Sequence, residues 1–273
     1  MTLHVFDQAL ALTAQPGGDF VGTPSPAYWN MVGPYGGITA ATMVNAILLH
    51  PQRLGDPLAL TINYASAVGA GPVRVVARPV RTNRSTQHWV LELWQAGSDG
   101  TEDMVTTGTA MTSVRRATWS LDELPMPAVP PPEAVEQVHM FAQVEWVQRY
   151  EMRPVAGAIP TVWDGGGSNS LTQLWVRDAE PRPLDFLSLA SMSDTFYPRI
   201  WLRRALPVPV GTVTLTIYFH ADSAQLAATG TGFLLAQAQA QGFRNGFYDQ
   251  TAQLWNEEGR LLVTTHQLAY YKE

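Results

Sequence analysis

Gly36 and Gly37 form the sequence pattern with the most direct chemical use. The pair opens an apolar run at residues 38–49, which predicts a mostly buried helix that ends before Pro51. Glycines lack a Cβ atom, so a ligand can approach the backbone closely, and free N–H groups at a helix start can bind an oxyanion. The same pair is equally typical of a tight turn that only leads into a helix. Any oxyanion chemistry at this point would therefore use the backbone.

The histidines of the chain do not belong to a common catalytic motif. His220 and His266 lie in stretches that predict strands, and neither is accompanied by a Gly-x-Ser-x-Gly sequence. The chain has no cysteine, which excludes disulfides, thiolate metal sites and cysteine nucleophiles. A His-Glu-x-x-His pattern and paired carboxylates at metal-ligand spacing are also missing. We therefore expect neither a metal nor a cofactor.

Two polar clusters have competing explanations. Residues 164–168 (DGGGS) lack the Gly-Lys pair of a phosphate-binding loop, which favours a flexible loop between β-rich segments. Arg199, Arg203 and Arg204 follow a predicted helix and either bind the phosphates of an anionic ligand or form a solvated basic loop. Asp194 lies near the end of the same helix, where a polar residue is common by composition alone.

Composition and charge disfavour several classes of partner. The chain has 273 residues, of which 46% are hydrophobic and 15% charged, unlike a disordered protein. A net charge of −6 without a long basic run argues against nucleic acid. The longest apolar stretch, residues 38–49, is too short for a membrane span, which needs about 20 residues. Residues 1–15 lack a secretory signal pattern, so we expect a cytoplasmic protein.

A proline-rich segment divides the chain near its middle. Residues 124–132 contain five prolines, which disfavour a helix or a central strand and predict an extended spacer. We predict three parts: an N-terminal domain at 1–117, a linker at 118–138 and a C-terminal domain at 139–273.

Short sequence echoes occur in the same order on both sides of this segment. They pair residues 41–45 with 190–194, 60–62 with 215–217, 84–85 with 244–245, 93–94 with 254–255, and 105–107 with 263–265. Each echo is weak alone, but their common order favours a duplicated unit.

Each half of the chain predicts one helix followed by long strands. In the first half the helix covers 38–49 and the strands cover 59–68, 73–94 with a turn near 82–83, and 104–114. In the second half the helix covers 185–196 and the strands cover 213–220, 233–255 with a turn near 244–246, and 260–271. This order predicts an α+β unit in which the helix packs on an antiparallel sheet.

The order of several short motifs resembles the acyl-CoA thioesterase II family, whose fold is a tandem, or double, hotdog. The resemblance covers about residues 20–271 and is carried by residues 33–37 (GPYGG), 81–85 (RTNRS), 189–194 (LASMSD), 212–220 (TVTLTIYFH) and 263–267 (VTTHQ). It implies two hotdog units, each a long helix wrapped by an antiparallel sheet. It also implies an acyl-CoA substrate, hydrolysis of its thioester, a place in fatty acid metabolism and a possible homo-oligomer.

The resemblance also assigns candidate site residues. In that family a helix Asp, a strand Thr or Ser and a Gln on the last strand hold the hydrolytic water. The matching positions are Asp194, Thr212 and Gln267, with Thr214 or Thr216 as alternatives to Thr212. Asp194 would act as the general base, while Gln267 and Thr212 would position the water.

The glycine pair would complete such a site. If the two helices lie antiparallel, Gly36 and Gly37 of one half face Asp194 of the other, and the Gly37 N–H can bind the oxyanion. We therefore expect a composite site between the halves. The chain differs from the family at one neighbouring position, because Ile38 follows the glycine pair where the family often has Gln.

The echoes also predict that the two halves are not equivalent. They align Asn45 with Asp194 and Thr109 with Gln267, so the first half lacks a base at neutral pH.

Two other functions remain open. One is a non-catalytic protein that binds acyl-CoA or another acyl ligand, and the other is a hotdog hydratase, which would need an Asp-His pair.

Overall fold

The protein folds into five α-helices packed on an antiparallel sheet, in a computed structural model that describes residues 3–97, 99–138 and 143–273. The helices of these residues are α1 (Val5–Ala9), α2 (Gly36–Leu49), α3 (Phe186–Met192), α4 (Arg199–Arg204) and α5 (Ser223–Thr229). The strands before the proline-rich segment are β1 (Thr13–Ala14), β2 (Phe20–Gly22), β3 (Asp56–Tyr64), β4 (Val73–Thr82), β5 (Thr86–Ala96) and β6 (Glu102–Ser113). Those after it are β7 (Tyr150–Ala156), β8 (Thr172–Asp178), β9 (Val210–Phe219), β10 (Leu234–Gln239), β11 (Phe243–Arg244), β12 (Phe247–Asn256) and β13 (Leu261–Tyr271).

The strand order is nearly symmetric about its centre. It runs β1-β2-β4-β5-β6-β3-β9-β13-β12-β10-β8-β7, with β11 paired to β12 beside this path. The two halves join where β3 pairs with β9, and Thr61 lies opposite Thr216 at the centre of that pairing. The two threonine hydroxyl oxygens are 3.1 Å apart. The α+β fold class and the duplication inferred from the echoes are both confirmed.

Helix α2 lies at the centre of the core, which explains its composition. Nine of its fourteen residues are buried, and it contacts α3 as well as strands β3 and β4. A helix that is covered by protein on most sides is apolar on most sides as well. The run of small and branched apolar residues in α2 fits this position. None of the described helices is long and apolar enough to cross a membrane.

The second-half helix is shorter than predicted. The sequence predicted a helix at residues 185–196, but α3 ends at Met192, and the chain re-enters a helix only at Arg199. Asp185 caps the start of α3 by accepting the N–H groups of Leu187 and Ser188. Pro198 restricts only Tyr197, the residue before it, so it does not explain the early end. At that end the hydroxyls of Ser193 and Thr195 donate to the carbonyls of Leu189 and Met192, and such side-chain bonds compete with the helix. Asp194 therefore lies just past a helix end, on a short turn.

The proline-rich segment forms neither helix nor strand over residues 124–131, and it is packed against the sheet rather than free. Trp175 and Trp255 donate their indole N–H groups to the carbonyls of Pro130 and Leu124. Its apolar side chains cover the outer face of the second-half sheet, where they contact a cluster that includes both tryptophans. The domain boundaries at 1–117, 118–138 and 139–273 remain a prediction, and residues 139–142 lie outside the described part of the chain.

Strand pairing corrects one of the echoes by a single residue. Leu60 and Leu215 occupy matching places in the central pairing, Leu60 lies opposite Ala110, and Leu215 lies opposite Gln267. The structural counterpart of Gln267 is therefore Ala110, and the alignment with Thr109 was wrong. A shift of one residue along a strand turns a side chain to the other face of the sheet. Thr109 is accordingly exposed, whereas Ala110 and Gln267 are both buried.

Candidate active site

Three predicted site residues meet on the inner face of the sheet. The side-chain amide of Gln267 donates from Nε2 to Asp194 Oδ1 and to Thr212 Oγ1, each at 2.8 Å. Its carbonyl Oε1 accepts from Gln250 Nε2 at 2.9 Å. Both amide protons and one acceptor position of Gln267 are thus used, which fixes the plane of its amide. Gln250 was missed by the sequence reasoning, since a lone Gln on a strand has no distinguishing signal.

A β-bulge selects Thr212 over Thr214 and Thr216. Strict alternation would place all three threonines on one face of β9. The pairing of β9 with β13 shifts register by one residue, so Thr212 lies opposite Ala269 while Thr214 lies opposite Leu268. Thr212 therefore points inward with Gln267, whereas Thr216 pairs with Thr61 across the sheet centre.

The glycine pair at the start of α2 lies against the Asp194 carboxylate. A methyl group on Gly36 would come within 2.6 Å of Asp194 Oδ2, and one on Gly37 would overlap the backbone carbonyl of Ser191. Only glycine leaves room for this contact between the halves. The predicted composite site, with the glycines of one half facing Asp194 of the other, is the geometry observed.

The electrostatics of Asp194 favour a proton at nearly neutral pH. Burial raises the pKa of its carboxyl from 3.8 to about 7, although hydrogen bonds from Gln267 and the Gly37 N–H act in the opposite direction. Asp194 as a whole residue is half-buried, whereas its neighbours Ser193 and Thr195 are fully buried. A carboxylate with a pKa near 7 can both take up and release a proton under ordinary conditions.

The pseudo-equivalent position in the first half lacks these groups. Strand pairing places Ala110 where the second half has Gln267, and Pro57 where it has Thr212, because β3 carries a bulge at the same place as β9. Asn45 donates its amide to the Leu10 carbonyl at 2.8 Å instead of facing a water-binding residue.

The N-terminal helix α1 covers that first-half position. Leu10, directly after α1, supplies the carbonyl that binds Asn45. Asp7, within α1, pairs with Arg182 at 2.8 Å, and Arg182 also pairs with Asp185 at the start of α3. The arrangement leaves one candidate site per chain in the described structure.

The remaining candidates have structural roles. Arg199 is fully buried and donates to the carbonyls of Tyr197 and Ser170 and to the Thr172 hydroxyl, so it forms neither a solvated loop nor a phosphate contact. Arg203 binds the Gly167 carbonyl.

The histidines also lie apart from the candidate site. His266 lies 3.3 Å from Asp249, but both belong to the outer face of the sheet, opposite to Gln267. This Asp-His pair therefore does not line the site, and it gives no support to a hydratase. His220 contacts the Thr264 hydroxyl.

The fold and site together define a double hotdog protein with a half-buried acid beside a helix start. Two family profiles match the chain: the acyl-CoA thioesterase N-terminal domain over residues 25–113 and the acyl-CoA thioesterase C-terminal domain over residues 122–271. The chain therefore belongs to the acyl-CoA thioesterase family.

Several solved structures share the fold of this chain. A protein of unknown function with a hot dog fold from Alicyclobacillus acidocaldarius shares 45% identity over 100% of this chain and 99% of its own, with a TM-score of 0.92. A putative thioesterase II from Thermobifida fusca shares 18% over 100% and 99%, with a TM-score of 0.81. An acyl-CoA thioesterase II from Mycobacterium marinum shares 17% over 98% of each chain, with a TM-score of 0.76. A comparison with curated protein sequences gave no match. The tandem hotdog fold and the family predicted from the motifs are confirmed.

Proposed function

We propose that this protein hydrolyses acyl-CoA thioesters with a water molecule activated by Asp194. The observation that carries the proposal is the hydrogen-bonded row Asp194–Gln267–Thr212, set against the glycine pair of the other half. Membership of the acyl-CoA thioesterase family supports the substrate class.

The hydrogen bonds of the row suggest how a water would be held. Thr212 accepts a bond from Gln267, so the proton of its own hydroxyl is left to donate to the water oxygen. The ionised Asp194 accepts a proton from the same water. Gln267 uses both of its amide protons on these two partners, so it acts mainly by fixing their positions.

The reaction then needs one proton to move twice. The water oxygen attacks the thioester carbonyl carbon while Asp194 takes its proton, which gives a tetrahedral oxyanion. The Gly37 N–H, which interacts with the Asp194 carboxylate, is the donor best placed to bind that oxyanion. When the carbon–sulfur bond breaks, Asp194 returns the proton to the sulfur of coenzyme A. A pKa near 7 suits both transfers.

A thiol-release assay with a panel of acyl-CoA substrates tests the proposal. Asp194→Asn keeps the shape of the side chain but removes the base, so turnover is expected to fall by about 10² or more. Asp178→Asn is the matched control, because Asp178 is also a buried carboxyl with a pKa raised to about 6 by burial. Activity of Asp194→Asn within twofold of the parent, with control and parent alike, would remove Asp194 from the mechanism.

The alternative function, non-catalytic binding of an acyl ligand, makes a different prediction in the same experiment. Acyl-CoA would bind to the parent protein with no release of thiol across the whole panel. Equilibrium binding measured in parallel with thiol release separates the two functions.

A further inference from the structure

We propose that Tyr64 is a positioning residue for the proposed hydrolysis, which aims the Gly37 N–H by holding the carbonyl of Gly36. The inference rests on the function proposed above and adds a residue from the first half that no catalytic motif includes. Tyr64 is the last residue of β3, and its hydroxyl donates to the Gly36 carbonyl at 2.8 Å.

The argument follows from the planarity of the peptide unit. The carbonyl of Gly36 and the N–H of Gly37 belong to the same peptide plane and point in opposite directions. A hydrogen bond that fixes one therefore fixes the other. The Asp194 carboxylate lies against this peptide, 2.6 Å from where a Gly36 methyl would be, and the Gly37 N–H interacts with it. Tyr64 therefore acts on that N–H from the far side of the peptide.

The first turn of α2 needs such a tie. Two consecutive glycines have more backbone freedom than any other pair of residues. The residue before them, Tyr35, provides no side-chain cap for the helix start. Instead its hydroxyl donates across to the Ser191 carbonyl of the other half. The hydrogen bonds of the two tyrosines thus stabilise a turn whose two glycines give its backbone little rigidity.

Tyr64 is also placed beside the acid rather than remote from it. The methyl group that Gly36 lacks would lie 2.6 Å from Asp194 Oδ2 and 3.4 Å from the Tyr64 hydroxyl oxygen. The carboxylate and the phenol therefore border the same point of the backbone. The proton of the phenol is committed to the Gly36 carbonyl, so the phenol acts on Asp194 through the peptide.

Tyr64→Phe removes the hydroxyl and keeps the ring. We expect kcat to fall about tenfold with little change in KM, because an oxyanion donor is misaligned but not lost. The matched control is Tyr28→Phe, since Tyr28 is fully buried and its hydroxyl has no hydrogen-bond partner in the described structure. The control is expected to match the parent in kcat.

A pH profile gives a readout that a purely structural role of Tyr64 would not change. The Gly37 N–H lowers the pKa of Asp194, so its misalignment in Tyr64→Phe should move the profile about 0.5 to 1 pH unit towards alkaline pH. The titratable groups that interact with Asp194 are Tyr35, Tyr64, Tyr150 and Tyr248, and their pKa values are all raised, so they stay neutral in this range.

A titration of Asp194 that does not depend on activity separates the two proposals. Carbon-13 NMR of labelled aspartate carboxyls, with Asp194→Asn used for assignment, should report a higher pKa for Asp194 in Tyr64→Phe than in the parent and in Tyr28→Phe. If the pKa of Asp194 is higher in Tyr64→Phe but the parent protein releases no thiol, the proposed hydrolysis is refuted and the positioning role of Tyr64 stands. An unchanged pKa together with a kcat within twofold of the parent would overturn the role of Tyr64.

Discussion

Replacement of Asp194 by Asn should stabilise the protein at neutral pH although it is expected to lower turnover by about 10² or more. The native state holds the Asp194 proton more tightly than the unfolded chain, because burial raises the carboxyl pKa from 3.8 to about 7. As pH rises between these two values, the parent therefore loses stability, and above about pH 7 the loss is complete. Asn carries no titratable charge, so the variant escapes this loss.

The size of the effect can be worked out from the pKa difference. A rise of about 3 pH units in the pKa corresponds to about 4 kcal/mol of stability, an upper limit because Asp194 is only half-buried. The side-chain oxygen of Asn can accept the hydrogen bond from Gln267. The NH2 group of Asn then faces the Gly37 N–H, and because both groups are donors no bond forms, which costs about 1 kcal/mol of stability. The net gain above pH 7 is about 3 kcal/mol, which raises Tm by about 6 °C or more. Below pH 4 only the cost remains.

The assay is thermal unfolding of the parent and Asp194→Asn between pH 4 and pH 9. The difference in Tm between the two proteins cancels the contribution of every other titrating group, including the buried Asp178. We expect this difference to change sign from negative at pH 4 to positive at pH 8. A difference that stays constant with pH would refute the inference that burial perturbs Asp194.

Four further predictions rest on the geometry and charge of the site. The kcat/KM of the parent should rise with pH to a plateau with an apparent pKa of about 7, because only ionised Asp194 accepts a proton; a profile flat from pH 5 to 9 would contradict this. Gly36→Ala should lower kcat/KM at least about tenfold in thiol release, since the new methyl lies 2.6 Å from Asp194 Oδ2; full activity would show that this contact is not needed. Asn45→Ala should keep turnover within twofold and lose about 1 kcal/mol of stability through the unpaired Leu10 carbonyl. Calorimetric titration with a non-hydrolysable acyl-CoA analogue should give one site per chain, and two sites would show that the covered first-half position also binds.

The regular parts of the fold were predictable because their sequence periodicity is strong. The glycine pair, the apolar run after it and the closing proline define α2, and the echo of Leu-Thr-Ile marks the two central strands. Leu93 and Leu254, which the echoes also paired, occupy equivalent positions in the strands of the two halves, where they lie opposite Thr106 and Val263. These signals are local, so a single sequence contains them.

The sequence could not decide features that depend on contacts between distant residues, and the alignment of Thr109 with Gln267 was wrong for that reason. The bulge that turns Thr212 inward and the shift that makes Ala110 the counterpart of Gln267 are properties of strand pairing. The proline-rich segment predicts an extended chain by its composition, but only the tryptophans of the second half decide that it packs.

Two contributors to the site carried no sequence signal. Gln250 and Tyr64 each lie on a strand and contact the site through one hydrogen bond. Tyrosine is common in strands by propensity, and only the geometry of the glycine peptide gives this one a specific role.

A single turnover in water enriched in oxygen-18 tests the central claim most directly. With enzyme in excess over an acyl-CoA substrate, direct attack of the water held by Asp194 and Thr212 places one oxygen-18 atom in the acid released in the first turnover. Thiol release should accompany it and should be lost in Asp194→Asn. Unlabelled acid in that first turnover would mean that the Asp194 carboxylate attacks the thioester itself, and no released thiol would mean that the protein does not hydrolyse acyl-CoA. Either result would contradict the account.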